Sequence, residues 1–374
     1  MSNLKKIRLD SICNIKSGKT NSQDALDEGE FPLFDRSRDV KRSDKYIFDL
    51  ESVILPGEGK DFYPRYYSGK FDLHQRAYSI SAINPKEVDT KFVYFSLIKN
   101  REYFAATATG ATVKSLRLPQ IGALEITIPD IKSQNEIAHI LTDYENLIEI
   151  NNRKIDCLEK TLNLIYEEIF TSNPDFETWP LTKLSEFIKV DRGVSYSSEE
   201  IDDFIGAYNI VNLKNFNRGG GFRTDGTKFY TGSVNESHLV TEGDIVIAVT
   251  DMTHDRVVVA RPARIPRLNG STVFSADVVK VSSKTLPNSY LYQLFSSYRF
   301  TETTKFKANG SNVLHLKPTA IGEFKTHIPP REVLLHYEEI STPIIENVHK
   351  LILENSVLGK MFEEIIEQIV SGRG

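Results

Sequence analysis

The 374 residues carry 46 Lys and Arg against 51 Asp and Glu, a net charge of -5, with 40% hydrophobic and 26% charged residues. This composition fits a globular chain long enough for two or three domains and excludes a low-complexity one. Two cysteines, Cys13 and Cys157, exclude a disulfide framework and a Cys-rich metal site; no apolar run suits a signal peptide or membrane span, so a cytoplasmic location is expected.

In chain order, strands are predicted at residues 52–55 and 77–83, a short helix at 91–99 and a closing strand at 124–128, punctuated by Pro129. A long helix follows over 131–170. Its apolar residues Ile137, Leu141, Tyr144, Ile148, Ile155, Leu158, Leu162, Ile165 and Ile169 alternate steps of three and four, with Asn151 in the one polar slot. Such a heptad seam needs a partner helix to bury it. Thr171-Ser172-Asn173-Pro174 stops the helix. A second body follows, with strands predicted at 244–249, 256–260 and 277–281, a helix at 289–297 and a closing strand at 324–328. The heptad rhythm then returns through Val333, Tyr337, Ile340, Ile344, Asn347, Leu351, Glu354, Leu358, Met361 and Ile365. Pro343 interrupts it, where either a kink or a fresh start capped by Thr342 is expected.

The chain repeats itself. Leu9-Asp10-Ser11-Ile12 and Gly18 match Leu184-Ser185-Glu186-Phe187 and Gly193; Gly110, Val113, Leu116, Ile121-Gly122 and Ile128-Pro129 match Gly310, Val313, Leu316, Ile321-Gly322 and Ile328-Pro329. In the helices, Asn151 and Leu162 match Asn347 and Leu358. The expected fold class is α/β, in the α+β sense: two similar mixed domains, 1–129 and 175–330, separated by two helices, 130–174 and 331–374, forming an antiparallel coiled coil. Connectivity sets the antiparallel sense, and facing Asn151 with Asn347 aligns Ile155, Leu162, Leu351 and Leu358 along a seam of roughly 50 Å.

Charge follows these divisions. Residues 1–129 and 179–330 each carry +3, whereas 130–178 carries -7 and 331–374 carries -4. Basic bodies on acidic helices imply two kinds of partner.

No catalytic set emerges. Gly18-Lys19-Thr20 lacks the glycine and the leading strand of a phosphate-binding loop; Asn173-Pro174-Asp175-Phe176 departs from the amino-methyltransferase tetrapeptide; Gly219-Gly220-Gly221 has no strand-helix context for a dinucleotide. The eight histidines form no metal-ligand pair, and no Ser/His/Asp or Cys/His set can be assembled.

The stronger pattern is polar loops rich in cations and amides. In the first body these hold Lys16, Ser17, Lys19, Thr20, Arg36, Arg38, Lys60, Arg65, Tyr66, Gln75, Arg76, Thr109, Thr112 and Lys114. In the second they hold Arg192, Ser195, Tyr196, Asn212, Lys214, Arg218, Arg223, Asn309, Ser311, Asn312 and His315. Lys and Arg neutralise phosphates, while Arg, Asn, Gln and Thr read base edges. Similar scaffolds with different loops imply two different half-sites, with the helices setting the gap.

The layout as a whole, with opening motifs like Leu9-Asp10-Ser11-Ile12-Cys13-Asn14-Ile15-Lys16-Ser17-Gly18, closing motifs like Ile121-Gly122-Ala123-Leu124-Glu125-Ile126-Thr127-Ile128-Pro129 and the helix ending Tyr166-Glu167-Glu168-Ile169-Phe170, resembles the specificity subunit of type I restriction-modification systems. The second helix departs from the family pattern at Leu334-Leu335-His336-Tyr337 and at Pro343. The resemblance implies a non-catalytic subunit whose two target recognition domains read an asymmetric, bipartite site in double-stranded DNA. It also implies helices that dock two adenine-N6 methyltransferase subunits, with restriction subunits completing the enzyme. No cofactor is expected in this chain: S-adenosylmethionine belongs to the methyltransferase, and ATP and Mg to the restriction subunit. Charge reversal at Glu145, Glu149, Glu363 and Glu364 is expected to weaken assembly. The competing readings are a coiled-coil scaffold with two protein- or glycan-binding domains, a self-sufficient enzyme, and a specificity subunit of another bipartite restriction system.

Overall fold

The computed structural model describes residues 5–59, 62–202, 206–224 and 226–371. Its contacts divide the chain into two compact units, Met1–Ile148 with Leu358–Gly374, and Glu149–Val357. Each unit is a mixed α/β body that includes part of both long helices, in keeping with the expected fold class.

The first unit contains β1 (Lys5–Arg8), α1 (Leu9–Ile12), β2 (Cys13–Ser17), β3 (Phe31–Phe34), β4 (Lys41–Ser43), β5 (Phe48–Pro56), β6 (Arg65–Leu73), β7 (Ala77–Ala82), α2 (Thr90–Lys99), α3 (Arg101–Thr107), α4 (Leu118–Gly122), β8 (Glu125–Ile128) and the first half of α5 (Ile131–Tyr166). Six strands bond in the order β2-β7-β5-β6-β3-β4, all antiparallel except β3 with β6, and β1 pairs with β8. The centre of β5 reads as a continuous apolar run because both its faces are covered. Val53 and Leu55 join a core with Phe92, Val93 and Leu97 of α2, whereas Ile54 faces a smaller core of Phe34, Phe71 and Leu73. Arg65 and Tyr66, expected in a loop, lie instead on β6. The polar first half of that strand hides the pattern, and its apolar residues appear only at Phe71 and Leu73.

Asp89 caps α2 by accepting from the backbone N–H of Phe92. The same residue ties the body to α5, because its own N–H donates to Gln134 Oε1 at 3.0 Å. Gln134 is fully buried, and its Nε2 donates to the carbonyls of Glu87 and Pro129. Asp130 caps α5 in turn, accepting from Ser133 N at 3.0 Å. Ala138 and Leu141 of α5 bury beside Ile366 of the C-terminal helix, and Phe362 of that helix meets Phe95 edge-on.

The second unit contains the rest of α5, then β9 (Leu181–Lys183), β10 (Ile188–Arg192), β11 (Ile201–Asp202), β12 (Tyr208–Val211), β13 (Lys228–Tyr230), β14 (Leu239–Val240), β15 (Ile245–Ala248), β16 (Thr250–Asp251), β17 (Pro262–Arg264), β18 (Thr272–Phe274), β19 (Val278–Ser283), α6 (Asn288–Ser296), α7 (Tyr298–Lys305), β20 (Leu314–His315), α8 (Thr319–Gly322), β21 (Lys325–His327) and most of α9 (Arg331–Ser371). Its sheets run β10-β19-β15-β17 and β11-β13-β12-β18-β14, with β16-β20 and β21-β9 as separate pairs. The main core gathers Ile245, Ile247, Val279 and Val281 from the strands, Tyr290, Leu291 and Phe295 from α6, and Tyr166, Phe170 and Tyr337 from the long helices.

Residues 256–260 do not form the expected strand. They close a tight loop in which Arg256 and Ala260 take positive φ, 53° and 64°. The β-branched run Val257-Val258-Val259 gives the strand signal, yet only Val259 is buried in the core and the N–H groups of Val258 and Val259 turn to Asp251.

The helix register also differs from expectation. Asn151 bonds Asn355, not Asn347, which lies eight residues earlier and is exposed. Further along, Tyr166 and Phe170 pack on Tyr337, so the pairing within this unit is antiparallel and places Ile155 opposite Leu351. Tyr337 and Leu351 of the expected seam are buried, but Leu334, Ser341 and Val348 are buried in place of the neighbouring Val333, Ile340 and Asn347. α9 also runs unbroken through Pro343, with neither a new start nor a Thr342 cap. Thr342 Oγ1 donates back to Glu338 O at 2.7 Å. Both Pro343 and Glu339 are exposed, so the carbonyl deprived of its donor is open to water.

Candidate nucleic-acid interface

The same backbone bonds build the loops of both units. Leu9 N donates to Leu124 O at 2.8 Å, as Leu184 N does to Phe324 O at 3.0 Å; His74 N donates to Phe34 O, as Ser275 N does to Val211 O. Gln75 N donates to Thr20 O, as Ala276 N does to Val194 O. The Thr109–Ser115 bridge recurs as Asn309–His315. Glycine is required where these backbones meet: a Cβ would stand 2.0 Å from Leu73 O at Gly18 and 2.2 Å from Phe274 O at Gly193. At the next loop it would stand 2.2 Å from Val113 O at Gly110 and 1.8 Å from Val313 O at Gly310.

In the first unit these bonds bring five loops into one patch. Glu58 accepts from Arg36 at 3.1 Å and from Arg76 at 2.7 Å. Gly57 N donates to Arg76 O and Gly59 N to Lys114 O, while Gln75 N reaches Thr20 O. Exposed on the patch are Lys16, Ser17, Lys19, Arg36, Arg38, Gln75, Arg76, Thr109, Thr112 and Lys114. Several are already engaged: Gln75 Nε2 donates to Asn21 Oδ1, Lys114 Nζ to Ala105 O, and Arg38 stands over the Tyr63 ring. Lys60 lies outside the described residues.

Two of the expected readers face inward. Thr20 is 2% exposed, and its hydroxyl donates to Asp72 Oδ1 at 2.7 Å; Ser43 donates to the other oxygen of that buried carboxylate. Arg65 lies over Phe34 and donates to the carbonyls of Asp35 and Arg38, so it holds the 35–38 turn. Burial lowers its pKa. Asp35, which sequence reasoning missed, organises the same turn through Ser37 and Lys41; burial raises its pKa, but those partners bring it net below the ordinary value.

In the second unit Arg192, Ser195, Tyr196, Lys214, Arg218, Arg223, Asn309, Ser311, Asn312 and His315 are exposed. Their loops are joined: Gly219 N donates to Val257 O, Gly221 N to Pro262 O and Leu316 N to Val249 O, and β16 pairs with β20. Asn212 is the inward-facing exception. Its side chain accepts from Lys214 N, and its N–H donates to Asn215 Oδ1. Asn215, fully buried, donates in turn to Arg223 O and Thr227 Oγ1.

Sequence reasoning missed the loop between β16 and β17. Asp251, 2% exposed, pins it by accepting from Thr253 N and Oγ1 and from the N–H groups of Val258 and Val259. Burial raises the pKa of Asp251, but these bonds outweigh it and leave it below the ordinary carboxylate value. An acidic residue followed by Thr two positions later was the available signal. Among the described residues, no group of three His, Cys, Asp or Glu residues could hold a metal ion, and no helix is long and apolar enough to cross a membrane.

Each unit thus carries a patch of polar loops. Residues 1–160 match the family model described as the type I restriction modification DNA specificity domain. The chain is 25% identical over 167 residues to the EcoDI type I specificity subunit of Escherichia coli, a match covering 45% of this chain and 37% of that protein. It is 21% identical over 359 residues to the MjaIX specificity subunit of Methanocaldococcus jannaschii, covering 89% and 80% of the two chains. The crystal structure of the S subunit of a type I restriction-modification system from M. genitalium has the same fold, with a TM-score of 0.63, 18% identity and coverage of 99% of this chain and 96% of that one. The chain is thus similar to the specificity subunits of type I restriction-modification systems, and it spans half or less of the length of the EcoDI subunit and of a Mycoplasma pneumoniae relative.

Proposed function

We propose that this chain is the non-catalytic DNA-reading subunit of a type I restriction-modification complex. Each unit's loop patch reads one half of an asymmetric bipartite site in double-stranded DNA. The helices shared by the units fix the gap and dock two adenine-N6 methyltransferase subunits that use S-adenosylmethionine; restriction subunits using ATP and Mg complete the enzyme. The observation that carries this reading is the loop framework: the backbone bonds repeat at Gln75–Thr20 and Ala276–Val194, while the exposed side chains differ, as Thr109 and Thr112 against Asn309 and Asn312. A fixed scaffold with exchangeable polar tips suits sequence reading, in which phosphate contacts set position and base-edge contacts set specificity.

The first test is binding of the purified chain to duplex DNA between 50 and 200 mM salt. A log-log plot of affinity against salt should fall with a slope of about -0.9 per phosphate neutralised. Salt-independent or absent binding would favour the scaffold with protein- or glycan-binding domains.

A further inference from the structure

The loop between β16 and β17 departs from its counterpart in the first patch. In the first unit the chain leaving β5 makes the short turn Gly57-Glu58-Gly59, whose carboxylate holds Arg36 and Arg76. In the first unit Leu116 N donates to Gly57 O; in the second the chain leaving β15 accepts the matching bond, from Leu316 N to Val249 O, then extends to Met252 and Arg256 before returning at Pro262.

This extension is pinned at its base. Asp251 accepts four hydrogen bonds from it, Val259 and Ala260 are buried at its base, and Ala260 N donates to Ala248 O at 2.9 Å. Arg256 has φ of 53°, a conformation that a side chain-bearing residue adopts only where its surroundings impose it. Its guanidinium lies 5.5 Å from the centre of the Phe306 ring, which is 62% exposed. Its Nε is buried with no hydrogen-bond partner, and Nη1 has one long contact, 3.4 Å, to His254 O. Among the described residues no carboxylate pairs with it. Lys305, on the same ring, is by contrast bonded to Glu302 at 2.6 Å.

We propose that Arg256, held on Phe306, is a base-reading side chain of the second unit and that it reads guanine through O6 and N7. The inference rests on the DNA-reading function proposed above. A planar guanidinium that is oriented by an aromatic face, and not neutralised, presents two parallel donors, and guanine offers the one pair of adjacent major-groove acceptors that matches them. Holding the side chain before binding also lowers the entropy lost when the contact forms.

The test is selection of bound sequences from a randomised duplex pool by the full chain, co-purified with a type I adenine-N6 methyltransferase subunit, as wild type, R256A and R256K. Thermal melting checks that both variants fold. Wild type should select a bipartite motif with a G·C pair in one half. R256A should lose preference at that base pair by about 5- to 100-fold, leaving the other half unchanged. R256K, which keeps the charge but not the fork, should lose the same preference while retaining affinity for unrelated duplex. An unchanged motif in R256A, or full specificity in R256K, overturns the assignment. Wild type selecting no motif overturns the DNA-reading function itself, and the two failures are distinct.

Discussion

The Nδ2 of Asn151 donates to Oδ1 of Asn355 at 3.1 Å, and Asn355 returns a bond to Asn152 at 2.9 Å. A polar pair in an apolar seam fixes register at some cost in stability. Asn355→Leu alone leaves the buried Asn151 amide without its partner and should cost about 1–3 kcal/mol. Replacing both Asn151 and Asn355 by Leu should recover that loss. Denaturant unfolding of the two variants decides it, and a double variant as unstable as the single one contradicts this register.

Glu58 holds two guanidiniums of the first patch, Arg36 and Arg76, in ion pairs. Glu58→Gln removes the shared negative charge, so affinity for any duplex should rise a few-fold and the salt dependence should steepen. Anisotropy titrations at several salt concentrations measure both. Weaker binding would show that the carboxylate is needed to aim the arginines.

The Asp251 carboxylate has a depressed pKa in the folded chain, so its bonds favour the ionised form. The sign follows: the stabilisation it gives the 252–259 loop is present above the ordinary carboxylate pKa and is lost as pH falls through the folded value. Hydrogen-exchange protection at Val258 and Val259 should fall on acidification in wild type. In Asp251→Asn it should start lower and change less. Equal protection in both proteins at neutral pH would contradict the pinning role.

Of the four acidic residues expected to dock a partner, Glu145 has another task. It accepts from the Tyr94 hydroxyl at 2.7 Å, and burial raises its pKa. Glu149 is paired with Arg153, while Glu363 and Glu364 are exposed. Reversing Glu363 and Glu364 to Lys should weaken co-purification with the methyltransferase and leave the melting temperature within about 2 °C, because such surface charges contribute little to folding. Glu145→Lys should lower the melting temperature itself.

The sequence revealed features written in local pattern. The long helices showed as heptads, the repeat as matched glycines and the closing strands as apolar runs before proline. Helix register was not local: the repeat pairs Asn151 with Asn347, but seam geometry selects Asn355, one stripe away on the same helix. Strand β6 was hidden because Arg65 and Tyr66 are polar residues on a half-exposed strand, and residues 256–260 looked like a strand because valine favours one. Within the candidate sites, composition could not separate residues that face out from those that hold loops. Thr20 and Asn212 have the chemistry of base readers, yet they face Asp72 and the 213–215 turn. Only tertiary contacts show which polar side chain spends its hydrogen bonds inside the fold.

The most direct measurement is co-expression of this chain with a type I adenine-N6 methyltransferase subunit that co-purifies with it, followed by mapping of N6-methyladenine across the host genome by long-read sequencing. The account predicts one new bipartite motif with two different halves and a fixed gap. A purified complex that adds no methylation, or that marks a motif with only one half, would contradict it.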